Sequence, residues 1–546
     1  MLKKEGIMQK NKTEYKPSKW VYVLMFSVPL LFITMLFFSL DNDIWYLLSE
    51  GRYIVQHGIY YIDPLSMHEG LQVVVQNWLS ASIFWVIYSA FGEMGLFTTV
   101  LICNVFICLL LYKICMLISD RNYILSLLLM FAEDVILLKS YLVSRPQIFS
   151  FIVLLGLIYV LEKYIKTENW KYLIWLPVLS LIEINIHASL WIMMFLFMLP
   201  YVIDSFRIPL LRTQGYKKKP LFLFIGISAV VGLINPYFYK AITFIFTSFT
   251  DELMHQYINE LLPFSIQTDL GKQMAILILV VGLIYAFFRE GKIRVRYICL
   301  FSGTVILGFI SYKAFSHFIL VSIFPLAYFF KDMCPKDFSM LPDKLLKIYR
   351  FLTAGLALIV IAATLYIYID IVPGNATLKH NADTALTVLK QNFDPASTTV
   401  YSSFNDGGTV EFYGFKPYID PRAEVYLAVN NKKEDIFAEN YYLQMGYLDT
   451  KEFLNKYNFT HLLVSNMDYL FGALEAMDEK DLNYFILYEN TATGYRLYAR
   501  NDLFTDKERK RIIEDYKKVV AQAQAEAEAQ AKAQAEAQNA NASKKA

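Results

Sequence analysis

DNDIWYLLSEGRYIVQHGIYYIDPLSMHEGLQVVVQNWL, residues 41–79, is the first polar stretch after the first long apolar run, and its place in the chain decides how the rest is read. It holds five carboxylates, Asp41, Asp43, Glu50, Asp63 and Glu69, against the single arginine Arg52. Asp41 and Asp43 flank Asn42 just beyond the apolar run 20–40. Carboxylates there are suited to hold a divalent cation through hard oxygens or to take a proton from an acceptor hydroxyl. A solvated loop that stops a helix is the plain alternative. Charge beside a span is only a default hint of function, so the remaining chain has to carry the decision.

Of the 546 residues, 56% are hydrophobic and 16% aromatic, more apolar than an ordinary globular domain. The apolar residues fall in repeated runs, several of about 18 to 25 residues, enough to cross a bilayer. The composition therefore predicts a polytopic α-helical membrane protein with a smaller polar part. A net charge of +2 gives no sign of a nucleic-acid partner. The five cysteines, Cys103, Cys108, Cys115, Cys299 and Cys334, lie in or beside apolar runs and suggest neither a disulfide framework nor a zinc site. Six lysines and two glutamates precede Trp20, and no small-residue cleavage site follows. Residues 1–19 read as a basic cytoplasmic terminus before an uncleaved anchor.

Charge parity sets the expected topology. Spans are expected near 20–40, 95–118, 123–142, 148–164, 172–186, 189–205, 221–239, 272–288, 296–311, 315–330 and 351–370. Residues 78–91 are apolar but short. If they crossed, Arg207, Arg212 and Lys217–Lys219 would lie outside, against the positive-inside rule. If they stay at the outer interface, the basic loops fall in the cytoplasm, giving about eleven crossings and an external C-terminus. On that topology polar residues gather at the outer side: Arg145 in Ser144-Arg145-Pro146-Gln147, Asn185 and His187, Asn235-Pro236, His317, and the loop 250–270 with Asp251, Glu252, His255, Glu260 and Asp269. Taken singly, each reads more readily as a helix end or a structural hydrogen bond. Their convergence on one side favours a site. Glu133 and Asp134, inside an apolar run, mark either a break or a buried pair.

After Asp370 the membrane-length runs stop. Residues 371–501 carry short β-rich pieces at 398–402, 409–413, 461–464, 485–488 and 495–499, with helical patterns at 382–391 and 449–457. Gly407-Gly408 reads as a turn before a strand. The reading is one small external α/β domain. Residues 502–546 begin as a charged helix and become an Ala-Gln-rich tail with no apolar stripe, either a solvated helix or disordered. The sequons at Asn375, Asn458 and Asn541 matter only in a host that glycosylates them.

The order Asp43, Trp45, Gly51, Ile54, Gly58, Asp63-Pro64, Ser66, Trp78-Leu79 resembles the first external loop of bacterial membrane enzymes of the GT-C glycosyltransferase superfamily. The likeness continues through Arg145-Pro146-Gln147, Asn185 with His187, Asn235-Pro236 and His317, and through residues 407–408 and 418–426. It covers about residues 20–500, with Asn77 and Ser316 standing where Glu and Arg are expected. It implies a GT-C-like bundle at 20–370, with 41–79 as its first external catalytic loop. It also implies a plasma-membrane transferase, a polyprenyl-phosphate sugar as donor and an extracytoplasmic glycan, lipid or protein as acceptor. Asp43 would be catalytic base or metal ligand, with Asp41 as the nearby alternative. Arg145 is a candidate fork for the donor phosphate or an interfacial arginine. His187, Asn185, Asp63 and His317 are candidate substrate contacts. A Mg²⁺ or Mn²⁺ ion held by Asp41 and Asp43 is a candidate cofactor. The rival readings are a transporter or flippase of a lipid-linked glycan, which would want polar residues through the depth of the bundle and often an internal repeat, and a non-catalytic scaffold.

Overall fold

The computed structural model describes residues 19–36, 41–209, 213–249, 251–263, 265–287, 294–335, 342–372, 380–478, 482–512 and 514. The basic N-terminus, the Ala-Gln-rich tail, the link around Asn375 and the sequon at Asn541 lie outside the described residues. The chain forms two units, one of residues 1–59 and 74–378, the other of residues 60–73 and 379–546.

The first unit is helical. Its helices are α1 (Lys19–Leu36), α2 (Ile44–His57), α3 (Trp78–Ile118), α4 (Tyr123–Ser140), α5 (Gln147–Thr167), α6 (Trp175–Ile186), α7 (Ala188–Ser205) and α8 (Lys218–Val231). They continue with α9 (Lys240–Phe249), α10 (Glu252–Tyr257), α11 (Asp269–Phe287), α12 (Val295–Ile310), α13 (Phe315–Phe329) and α14 (Asp343–Tyr366). Among the described residues α3, α5, α7 and the stretch Lys344–Ile371 are long and apolar enough to cross a membrane, while α1 and α12 are shorter apolar helices. Phe351, Leu352 and Ile359 of α14 lie bare on the surface, as lipid-facing side chains would.

Three features refine the expectation. First, residues 44–57 of the stretch read as a loop are a helix. Its apolar residues Ile44, Leu47, Leu48 and Ile54 recur at helical spacing and are buried. Gly51 lets α2 meet α3, because a Cβ there would come within 2.1 Å of the Ala81 carbonyl oxygen. Second, α3 is broken at Gly92, whose φ of 62° and ψ of −153° are not helical, so residues 78–91 and 93–118 are separate helical segments. Third, α8 stops at Val231, short of the expected 239, in a turn where the Asn235 side chain accepts from Tyr237 N and donates to the Gly232 and Phe238 carbonyls. Helix α4 runs unbroken through Glu133 and Asp134, whose buried carboxylates accept from Ser322 Oγ and Cys108 Sγ.

A buried charge knot ties four segments of this bundle. Arg296 forks onto Glu162 at 2.9 and 3.2 Å, reaches Asp204 at 2.6 Å, and donates to Gln214 at 3.0 Å. Tyr201 donates to Glu162 and the Gln214 amide to Asp204, so the desolvated charges are met by hydrogen bonds. Its members are spent on one another, which marks it as structural.

The second unit holds a five-stranded sheet in the order β2-β1-β3-β5-β4: β1 (Thr399–Tyr401), β2 (Lys416–Pro417), β3 (His461–Ser465), β4 (Tyr484–Asn490) and β5 (Tyr495–Arg500). β2, β1 and β3 are parallel, with Val400 opposite His461, and β5 and β4 are antiparallel. β3 is buried along its whole length, and Leu386, Leu389, Val400, Val410, Leu463 and Leu497 form one core. Residues 407–413, expected as a turn and strand, are instead the helix Gly407–Phe412. Packing overrides the β-propensity of Thr409–Tyr413 here. Gly407 lies so close to the Ile419 carbonyl oxygen, 1.9 Å from where a Cβ would be, that only glycine fits.

Residues 60–73 belong to this unit as well. They fold back on themselves, with Asp63 N donating to Leu71 O and Val73 N to Tyr61 O, and attach through Met67 N to Pro417 O and Gln72 N to Asn431 O. The division into 20–370 and 371–501 therefore misses an excursion of the chain.

Candidate active site

Asp41, Asn42 and Asp43 lead into α2. The Asp43 amide donates to Asp41 Oδ1 at 3.0 Å, an Asx turn, and the Asp43 side chain makes no capping bond to its own helix. Its carboxylate is thereby left to face across the bundle. Facing it is Arg145, on the connection between α4 and α5. Arg145 Nε donates to Asp41 at 2.7 Å, Nη2 lies 3.1 Å from Asp43 Oδ2, and Nη1 donates to Glu260 at 2.5 Å. Ser144 Oγ accepts from the Asp41 amide at 3.3 Å, which fixes the two segments together.

Glu260 comes from the 3₁₀ turn Asn259–Leu261. Lys313, just before α13, holds that turn by backbone and side chain: Lys313 N donates to Glu260 O at 2.9 Å, and Lys313 Nζ stands 3.4 Å from Glu260 Oε2. Tyr312 N to Leu262 O and Ser311 Oγ to Glu260 O complete the junction. Four separated segments thus place three carboxylates and two cations in one cluster. Its members are partly open, from 17% for Arg145 to 41% for Lys313.

The cluster sorts its carboxyls. Burial pushes the Asp43 carboxyl up to about 6, against the pull of Arg145 and with the push of Asp41. At Glu260 burial acts upward too, but Lys313 and Arg145 overcome it and hold the group below its ordinary range. The Arg145 guanidinium is firmly charged: burial opposes its charge, and Asp43, Asp41 and Glu260 outweigh it. A carboxyl pushed up to about 6 beside Glu260, held below its ordinary range, is the arrangement of a base with a fixed neighbour.

The remaining expected site residues divide. His187, where α6 passes into α7, is held neutral by burial and, to a lesser degree, by Lys313 and His317, its pKa lowered to about 3. Ser150 Oγ lies 3.2 Å from its Nδ1. His317 Nδ1 lies 3.1 Å from the Ala314 carbonyl, which requires the proton on Nδ1. Its buried Nε2 is then an acceptor, with no partner among the described residues. Asn185 does not offer a free amide. It accepts from Trp78 Nε1 and donates to the Leu181 and Ile234 carbonyls, so it pins α6 to its neighbours.

Asp63 belongs to the second unit. It is buried, with its Oδ1 accepting from Arg422 Nη1 at 2.9 Å. Arg422 also reaches Asp420 and Glu411 at 2.7 Å each, and Tyr426 OH donates to Asp420. Asp63 anchors residues 60–73 to the α/β unit through Arg422. The Arg145 fork is engaged by three carboxylates, and Lys313 is the more open cation of the cluster. The same geometry does not fit a divalent ion between Asp41 and Asp43, because Arg145 already occupies that position. Among the described residues no group of three His, Cys, Asp or Glu is set to hold one.

No protein-family model matches the chain, and no curated protein sequence does. Solved structures do. The Archaeoglobus fulgidus oligosaccharyltransferase, tethered to an acceptor peptide with an NVT sequon, is similar over 88% of this chain and 74% of its own, at 12% identity and a TM-score of 0.50. Its apo form is similar over 82% and 69%, again at 12% and 0.50. ArnT from Cupriavidus metallidurans, bound to undecaprenyl phosphate, aligns over 88% and 97% at 10% identity and a TM-score of 0.48. At such identities the likeness is one of fold alone, shared with the oligosaccharyltransferase.

Proposed function

We propose that the protein moves a sugar from a polyprenyl-phosphate donor to an acceptor hydroxyl or amide on the outer side of the plasma membrane. The N-terminus is cytoplasmic, about eleven segments cross, residues 78–91 do not, and the α/β unit and C-terminus are external. The observation that carries the reading is the cluster of Asp41, Asp43, Arg145, Glu260 and Lys313 on a GT-C fold. A transporter would want polar groups through the depth of the bundle. Arg296, Glu162 and Asp204, buried charges of this bundle, are locked to each other.

In the reaction Asp43 takes the proton of the acceptor group. The acceptor atom bonds to the anomeric carbon, and the bond from that carbon to the phosphate oxygen breaks. The leaving phosphate keeps the electron pair, and Asp43 ends protonated. Arg145 positions Asp43 and Asp41 and supplies the positive charge that a metal would otherwise bring. Lys313, with neutral His187 as a hydrogen-bond donor, meets the phosphate. His317 Nε2 accepts a donor-sugar hydroxyl. Glycan profiling of the envelope of a deletion strain, complemented with wild type or Asp43→Ala, tests the reading: wild type restores a missing glycan and the variant does not. An unchanged profile in the deletion strain would count against it.

A further inference from the structure

β1 and β3 are parallel neighbours, yet the chain leaves β1 for β2 on one side and arrives at β3 on the other. Such a reversal is a topological switch point, where open α/β sheets leave a crevice beyond the strand C-termini and bind ligands. Two loops open there, residues 402–406 after β1 and 466–468 after β3. Each contributes an aspartate. Asp406 accepts from Ser403 Oγ and Tyr495 OH, both at 2.8 Å. Asp468 accepts from Tyr401 OH at 3.0 Å and Gln444 Nε2 at 3.1 Å, and burial pushes its carboxyl up to about 6.

The helix Ile436–Gln444 flanks this crevice, since Gln444 also accepts from the Tyr469 amide at 3.2 Å. One turn before Gln444, on the same face, Asn440 is fully buried. Neither its amide oxygen nor its amide nitrogen has a partner among the described residues. Buried amides are nearly always satisfied, so a donor and an acceptor held side by side here point to recognition of a polar ligand. Around the crevice the cover is aromatic and open. Tyr447 is 74% exposed and Met467 90%, with Tyr442, Met445 and Tyr469 also exposed. Gly446 has a positive φ, and a Cβ there would come within 2.9 Å of the Tyr469 ring, so the glycine allows the ring to lie against the 442–447 turn.

The chemistry of these segments is selective. Residues 401–406, 440–447 and 466–469 contain five tyrosines, four side-chain amides and two aspartates, and no lysine, arginine or histidine. These segments carry no cation of their own, and His380, whose Nε2 lies 3.3 Å from Asp406 Oδ1, is engaged by that aspartate, so the two aspartates leave the crevice unsuited to phosphate or an acidic glycan. A neutral sugar ring offers an apolar C–H face for a tyrosine ring and a hydroxyl edge that pairs with amides and carboxylates. We infer that this end of the α/β unit is a binding site for a neutral saccharide chain. The site goes beyond the transfer reaction and stands whether or not Asp43 is the base.

The test is saturation-transfer NMR on the full-length protein in a sugar-free detergent, with hexasaccharides of glucose, mannose and N-acetylglucosamine as probes. Irradiating the aromatic protons should transfer saturation to the ring C–H protons of at least one probe. Tyr447→Ala should weaken that binding about tenfold, the weight of one stacked aromatic, and Tyr447→Ala with Tyr469→Ala should abolish it. Asp43→Asn should leave it unchanged. Should the double variant fail to fold, the single one at the exposed Tyr447 carries the test. No transfer to any probe, transfer untouched by the tyrosine changes, or transfer only to a Ser/Gly-rich control peptide would overturn the inference. Wild type active in sugar transfer but silent in this assay sinks this inference alone. A saccharide signal from a protein inactive in transfer sinks the proposed function alone.

Discussion

Replacing Arg145 with glutamine removes one positive charge from among three carboxylates and keeps a polar side chain of similar reach. The guanidinium stands 3.1 Å from Asp43 Oδ2, which puts the two charge centres roughly 4 Å apart. At an effective dielectric of about 20 that attraction is about 4 kcal/mol, or about three pKa units. Asp43 is 27% exposed and Arg145 17%, so solvent screening leaves about half of it. The Asp43 carboxyl, already near 6, should therefore rise by about 1–2 units. A base must be ionised to act, so the acid limb of the pH profile of kcat/KM should move from about 6 into the range of about 7 to 8. Arg145→Lys keeps the charge, so its limb should stay near 6 while the rate falls with the loss of the fork. The assay is initial-rate transfer between pH 5 and 9, with both ranges set by these shifts. A limb that stays in place in Arg145→Gln would refute the coupling of Arg145 to the base.

Other expectations follow from the same geometry. Asp63→Ala should destabilise the protein by about 1.5–3 kcal/mol, the loss of a charge-assisted hydrogen bond in a buried network, and leave KM for the donor unchanged. A raised KM without a drop in melting temperature would instead mark Asp63 as a substrate contact. Transfer should survive EDTA, because Arg145 stands where a cation would; a loss reversed by Mg²⁺ or Mn²⁺ would contradict this. Reporter fusions after Lys219 and after Asn501 should report cytoplasm and exterior respectively, and a cytoplasmic signal from the second would overturn the topology.

What the sequence reveals follows from how local the cause is. The spacing of apolar residues was enough to place most helices of the bundle within a few residues, because an amphipathic or apolar run specifies its own helix. Asp41, Asp43 and Arg145 could be gathered because parity put them on one side. Lys313 could have been found by the same reasoning, since a lysine in a short outer connection goes against the positive-inside rule. Glu260 could not be singled out from its loop, because its role depends on backbone bonds to residues some fifty positions later. The place of Asp63 is not legible in the sequence, because residues 60–73, between two helices of the bundle, group with the second unit through bonds to residues more than 340 positions later. The helix Gly407–Phe412 is not legible because its stretch has strand-like residues, and the packing of Gly407 against Ile419 leaves no local signal.

The most direct measurement is the transfer rate of purified Asp43→Asn with a labelled polyprenyl-phosphate sugar, beside wild type and Asp41→Asn. Asparagine keeps the shape of the side chain and cannot take the proton. At a partly exposed position it should leave insertion and melting temperature as they are. Removal of a positioned base predicts a fall of about 10²–10⁴-fold in rate, with a milder effect at Asp41, which accepts from Arg145 and the Asp43 amide and serves mainly to hold them. An Asp43→Asn protein that keeps more than about a tenth of the wild-type rate, well short of the loss expected for a base, would contradict the assignment.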